Sequence, residues 1–282
     1  MFRFLSIFIF FSFTSTSNAY TLSSPPRESK ETGVKLYAPF AKFISKTINS
    51  DVKYIAPANW LRYQRSIKRD EYDIVFDGPH LASWRIKHHE HTPLMMLAGN
   101  LVFYFITTSD NSLINTPRDF SARKVCVLPP PNLNSLVLLE HLDTLNKEPV
   151  IKGIKGNLNK VVSSLLKGHC IGAVVPAGFY ENKLSSSQKS MLKIIYKSSP
   201  LPNQVITVSS RVPKSDINKL LSALKSKQGL KIINSFSKRF GGNFIPANKD
   251  AYKGASHLLE GSLIGWHGKG KKRKGYLLTD KE

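Results

Sequence analysis

Acidic residues are scarce in this chain. Nineteen Asp and Glu stand against 41 Lys and Arg, a formal net charge of +22 over 282 residues. Such an excess points outward, to a nucleic acid, an anionic membrane surface or a small anionic ligand, and says nothing about fold. Most of the lysines are spread singly over helix faces, as on a solvated surface. Cysteine is almost absent: Cys126 and Cys170 allow one disulfide at most. Both fall in apolar runs that read as strands. An oxidising compartment permits them to pair if those strands are neighbours, and buried free thiols are the alternative. Beyond the N-terminus no apolar run is long enough to cross a membrane. A nucleophile motif, a glycine-rich phosphate loop and a paired-carboxylate set are also missing, which removes the usual signatures of an enzyme. The hydrophobic fraction of 41% excludes a disordered chain.

The N-terminus carries a short apolar segment. Arg3 precedes a run from Phe4 to Phe13, and Ser17-Asn18-Ala19 places small residues at the −3 and −1 positions of a cleavage site. This predicts a signal peptide over residues 1–19 and a periplasmic mature protein, with an uncleaved anchor as the alternative. At the other end Lys269, Lys271, Lys272, Arg273 and Lys274 lie among glycines. Residues 266–282 therefore read as a basic flexible tail, able at most to touch an anionic surface weakly.

Between these ends, apolar strand-like runs alternate with amphipathic segments. Strands are predicted over 20–24, 52–55 and 73–76, with helices after Pro39, over 60–68 and over 81–87. A long strand over 100–108 leads to a second series, with strands over 125–128, 150–154 and 170–175. Asn132 and Asn157 stand as caps of the helices between them, and Gly168 closes the second helix. A strand over 204–209 returns the chain, and the remainder is mostly helical. The pattern is α/β, with βαβ units and helices on both sheet faces. It suggests two lobes, residues 20–107 plus 205–265 and residues 108–204. The crossings fall near 107–110 and 200–203, and a hinged cleft lies between the lobes.

The segment Tyr72-Asp73-Ile74-Val75-Phe76-Asp77-Gly78-Pro79-His80 is the most informative. A buried strand ends abruptly at Gly-Pro and turns into a helix. Ligands of open α/β sheets bind beyond the carboxyl ends of strands. His80 is therefore expected to contact an anionic ligand, and Asp77 to orient His80 or receive an amine. A structural turn is the alternative for Asp77. Trp84 reads as core packing before a cleft wall. Arg27, after Pro25-Pro26, can clamp an oxyanion with its guanidinium fork or simply lie exposed. Helix N-termini attract anions, and two are expected to face the cleft, one after Pro39 and one near Asn132. Tyr37 precedes the first as a hydroxyl donor or a core aromatic. His88-His89-Glu90-His91 invites a metal reading, but adjacent histidines point apart, and no metal site is expected.

Taken with Leu36-Tyr37-Ala38-Pro39-Phe40-Ala41, Thr92-Pro93-Leu94, the stretch 168–175 and Gly242-Asn243-Phe244-Ile245-Pro246-Ala247, these motifs resemble a known family. It comprises the periplasmic solute-binding proteins of ABC importers for phosphate, phosphite and phosphonate, which have the type 2 periplasmic-binding fold. The resemblance implies two lobes, each a mostly parallel sheet flanked by helices, closing on a small anionic ligand. It implies an ABC permease as partner, a monomer, no cofactor, no nucleic acid and no chemistry on the ligand. A sensory binding protein, an enzyme on the same scaffold and a polyanion binder are the competing readings. Binders of this kind carry a Ser/Thr-rich loop in the second lobe. Here that loop reads Pro129-Pro130-Pro131-Asn132-Leu133-Asn134-Ser135, and prolines have no N–H to offer. Asn132, Asn134 and Ser135 are the contributors expected from that side.

Overall fold

A computed structural model describes residues 19–240 and 243–266. The expected leader up to residue 18, Gly242 and the basic run at 269–274 lie outside the described residues. The chain opens with β1 (Tyr20–Ser23), α1 (Lys30–Ile48), β2 (Val52–Ile55), α2 (Trp60–Lys68), β3 (Ile74–Asp77), α3 (Pro79–His88) and β4 (Thr92–Leu97). A two-residue strand, β5 (Asn100–Leu101), leads into the second lobe. There follow β6 (Phe103–Thr108), β7 (Lys124–Val127), α4 (Leu133–Asp143), β8 (Val150–Gly153), α5 (Leu158–Leu166) and β9 (Gly172–Pro176). The lobe ends with α6 (Ala177–Lys183), α7 (Ser186–Ser190) and β10 (Leu192–Lys197). The chain then returns through β11 (Leu201–Pro202), β12 (Val205–Val208), α8 (Lys214–Lys225), α9 (Lys227–Ser237), β13 (Phe244–Pro246) and α10 (His257–Ser262).

Two sheets result. The first has the order β13-β4-β12-β3-β1-β2 and the second β10-β6-β9-β7-β8. In each, three strands form the parallel unit that βαβ connections produce: β3, β1 and β2 in one, β9, β7 and β8 in the other. Strands that cross between lobes complete the sheets antiparallel to their neighbours, as β12 does between β3 and β4. The fold is the expected two-lobed α/β architecture.

Three boundaries differ from the sequence reading. The run over 100–108 is not one strand of the first lobe. Phe103–Thr108 pairs with β9 and β10 inside the second sheet, so the first crossing lies at residues 98–102. Continuous apolar character hid the break, because both sheets bury their central strands. The two crossings bond to each other, with Leu101 opposite Leu201 and Asn100 opposite Pro202. Secondly, the first helix begins at Lys30 rather than after Pro39. The Ser29 side chain caps it by accepting from the Thr32 N–H, and Pro39 is carried inside on the exposed side. Thirdly, Trp266 does not belong to a tail. It is 2% exposed, donates from Nε1 to Gln64 Oε1 at 3.0 Å and packs edge-on against Trp84.

The cores follow the elements. Tyr37, Phe40, Ile44 and Ile48 of α1 pack with Ile217, Leu220, Ile233 and Phe236 of α8 and α9 over the first sheet. In the second lobe Cys126 and Cys170 are joined by a disulfide with a Cα separation of 5.7 Å, which resolves the open choice in favour of pairing. The bridge ties β7 to the turn entering β9 and suits an oxidising compartment. The lobes also touch: Leu133 and Leu136 of α4 join a first-lobe cluster containing Tyr63, Leu81, Trp84 and Leu258.

Candidate functional site

The carboxyl ends of β1 and β3 and the entry to α4 converge between the lobes. β3 stops at Gly78, and Pro79 takes the first helical position of α3, where its missing N–H costs nothing. His80 is thereby aimed across the cleft. Its Nε2 lies 3.0 Å from the Pro131 carbonyl of the second lobe and donates to it, which leaves Nδ1 as a buried acceptor with no partner among the described residues. Burial lowers the His80 pKa to about 4 against the opposing pull of Asp77, so the ring is neutral near pH 7. His80 meets a ligand as a neutral group, and one of its nitrogens already spans the lobes.

Asp77 faces the other way. It is fully buried and holds Arg85 with two bonds of 2.7 and 2.8 Å, and it accepts from the Tyr63 hydroxyl at 2.6 Å. Arg85 also donates to Thr207 Oγ1 at 2.9 Å. This carboxylate is committed to the first lobe's interior and is not positioned to receive an amine. Its nearest neighbours are a guanidinium and a phenol, both buried, so its charge is compensated where it stands.

Arg27 sits at the rim. Its Nη1 donates to Gln204 Oε1 at 3.1 Å, and its guanidinium carbon lies 5.3 Å from the Phe240 ring centroid. Among the described residues no carboxylate pairs with it, and its charge reaches far enough to help depress the His80 pKa. Beside it lies a group of hydroxyls. Ser24 Oγ is 2.8 Å from the Tyr54 hydroxyl. Tyr37 and Tyr54 stack with centroids 4.9 Å apart. Burial pushes Tyr37 up to about 12, and the nearby Arg27 pulls it back. Tyr37 is fully buried inside α1, not ahead of a helix start, because α1 begins seven residues earlier. It therefore supports Tyr54 from beneath.

On the second lobe the loop 129–135 folds upon itself. Asn132 does not cap α4 with its side chain, because Nδ2 donates back to the Pro129 carbonyl at 2.7 Å. Ser135 Oγ donates to the Asn132 carbonyl at 2.6 Å. Asn134 donates from Nδ2 to the Val174 carbonyl at 3.0 Å, and its buried Oδ1 has no partner among the described residues. With side chains engaged this way, the donors left at this end are the first backbone N–H groups of α4, at Leu133 and Asn134, which no helical carbonyl can reach.

The structure thus brings His80 of one lobe against the Pro131 carbonyl of the other, places Arg27 where its charge is felt by His80, and keeps Tyr37 in the core beneath Tyr54. It turns Asp77 inward, and Asn132 and Ser135 serve their own turn. Sequence reading missed Ser24, Tyr54, Gln204 and Arg85. Arg85 carried a signal, since it stands one turn from Leu81, on the side of the helix that the apolar residues mark as inward. The bonds of Ser24 to Tyr54 and Arg27 to Gln204 join residues 30 and 177 positions apart, and no local pattern marks them. The histidine cluster diverges as adjacent residues must. His88 turns to Glu260, His89 to the Lys68 carbonyl, and His91 to Asp70 and Thr207. Among the described residues no group of metal-ligating side chains is assembled.

Comparison with known proteins agrees with this architecture. Residues 22–252 match the model of a family described as ABC transporter, phosphonate, periplasmic substrate-binding protein. Similar solved structures include PhnD1 from Prochlorococcus marinus in complex with methylphosphonate. It has 16% identity and a TM-score of 0.63, with 85% of this chain and 96% of that one covered. XAC2383 from Xanthomonas citri bound to ATP has 12% identity and a TM-score of 0.69 over 85% and 95%. A phosphonate-transporter binding component, PA3383 from Pseudomonas aeruginosa, has 16% identity and a TM-score of 0.62 over 86% and 85%. At these identities the likeness establishes the fold. No curated protein matches the chain.

Proposed function

Because the chain belongs to the family of periplasmic substrate-binding proteins of phosphonate ABC transporters, we propose that it captures a small phosphonate- or phosphate-like anion between its lobes. It presents the closed, loaded form to the permease. The family is one of extracytoplasmic binding proteins that deliver a small ligand, not of enzymes. In this reading the protein performs no chemistry, acts as a monomer, and reaches the periplasm through the predicted leader.

The observation that carries the ligand class is Arg27. A guanidinium without a carboxylate partner among the described residues stands at the carboxyl end of the β1 unit, beside the Ser24 and Tyr54 hydroxyls. A planar cation beside two hydroxyls suits a tetrahedral oxyanion, which accepts bidentate bonds from the fork and single bonds from the hydroxyls. In this reading the first backbone N–H groups of α4, just past the Pro131 carbonyl that His80 contacts, add donors from the second lobe with the favourable end of a helix dipole. A ligand bonded to both sides makes contacts in the closed state that the open state lacks, which is what shifts the population.

Calorimetric titration with methylphosphonate, phosphite, phosphate and sulfate tests this. At least one phosphorus oxyanion is expected to bind, and Arg27→Ala to weaken it by about 30-fold, the loss of a charge-assisted bond of about 2 kcal/mol. Binding of none of them, or undiminished binding by the variant, refutes the reading.

A further inference from the structure

Lysines that look scattered along the sequence gather on one layer of the fold. Helices α1, α8 and α9 pack on one another, and their inward faces cover one side of the first sheet. Their outward faces carry nine lysines, four on α1, three on α8 and two on α9, every one of them exposed. The same three helices hold two carboxylates, Glu31 and Asp216, which leaves a net +7. Asp216 is already taken by Lys219 at 2.8 Å. In the middle of the α1 outer face, between Lys30 and Lys42, Val34 remains 42% exposed and Ala38 is exposed too.

We propose that this layer docks the protein onto an anionic lipid surface, with the lysines over headgroup phosphates and Val34 and Ala38 at the plane of contact. Three observations favour a bilayer over a soluble polyanion. The cations are all lysines, compact point charges on long flexible stems that spread over a plane of diffuse charge; arginine forks, suited to gripping individual phosphates, are absent from the three helices. The patch is a sheet-backed layer of three helices, not a groove that could follow a strand. An apolar strip lies among the charges, as on helices that rest in a membrane interface. Family membership puts the chain beside a bilayer that holds its permease. The layer covers a sheet face, whereas the ligand cleft lies at the strand ends, so docking leaves the cleft free to open.

The test uses the chain from Tyr20 to Glu282 in co-sedimentation with vesicles. One set holds equal parts phosphatidylcholine and phosphatidylglycerol, the other phosphatidylcholine alone. Binding is expected only to the anionic set, and added salt is expected to weaken it. Reversing Lys35→Glu, Lys42→Glu, Lys225→Glu and Lys231→Glu together is expected to weaken binding by at least about tenfold. The same reversal at Lys269, Lys271, Lys272 and Lys274 is expected to leave most of it. Unchanged unfolding temperatures show that both variants are folded. If the reversal of the helix layer unfolds the chain, Lys→Gln at the same four positions is read instead, with about a fivefold loss expected. Unaltered binding by the layer variants overturns the proposal. So does complete loss on reversing the tail alone, or binding to long-chain polyphosphate with none to vesicles.

Discussion

Removing the Arg85 side chain will test how firmly the first lobe depends on one buried ion pair. In Arg85→Met the new side chain fills most of the same space, so the cavity contribution is small and the electrostatic one dominates. The Asp77 carboxylate loses two bonds, at 2.7 and 2.8 Å, and keeps only the Tyr63 hydroxyl. Its side chain is 0% exposed and Arg85 is 1% exposed, so water cannot replace the lost partner. Breaking such a pair from one side costs about 3–5 kcal/mol. For a protein of this size each kcal/mol moves the midpoint by about 2–4 °C, so the melting temperature is expected to fall by about 6–20 °C. Circular dichroism on heating and in urea measures it. The companion variant replaces the whole group: Asp77→Leu, Arg85→Met and Tyr63→Phe together. With no charge left to desolvate, it is expected to recover at least half of the loss. A loss under about 1 kcal/mol for Arg85→Met, or no recovery in the triple variant, refutes the claim that this pair is sealed from solvent.

Two further outcomes follow from the same structure. The disulfide closes a loop of 44 residues, so replacing Cys126 and Cys170 with alanine is expected to cost about 4 kcal/mol by chain entropy, measured by urea unfolding. His80 falls from an ordinary 6.5 to about 4 because burial disfavours its charged form. The unfolded chain therefore takes up a proton that the native protein refuses. Its contribution is intact above pH 6.5 and is lost as pH falls toward 4, about 3 kcal/mol in all. In His80→Asn the proton uptake on unfolding at pH 5, read from the slope of stability against pH, is expected to shrink by about one proton; an unchanged slope contradicts the buried neutral ring.

The alternation of elements was legible because it rests on local periodicity. Ile74, Val75 and Phe76 read as a buried strand, and Gly78-Pro79 as its end, from the residues alone, and the structure places β3 and α3 there. The start of α1 was misread because Pro39 looked like a first-turn residue. The stronger signal was Ser29-Lys30-Glu31-Thr32, a capping serine with an acid in the first turn, and Pro39 is accommodated because it lies on the exposed side of the helix. The crossing at residues 98–102 left no trace because Leu97, Leu101 and Phe103 are all apolar although they belong to different layers. Site residues were legible where a strand end announced them, as with His80. They were not where distant segments had to meet. Asp77 looked like a ligand group because its partner Arg85 is supplied by the next helix, and Asn132 looked like a cap although a proline carbonyl three residues back takes its amide.

The paired crossings have a consequence for how the protein can signal. Asn100-Leu101 and Leu201-Pro202 are bonded side by side, and Asn203 ties them further by donating to the Ala98 carbonyl and accepting the Tyr252 hydroxyl at its own. Two separate tethers would let the halves slide, twist and swing. Two tethers zipped together behave as a single pin, and a door on one pin has only its angle to report. Whatever sits on the far side of this protein need read nothing about its cargo except how far that door has shut.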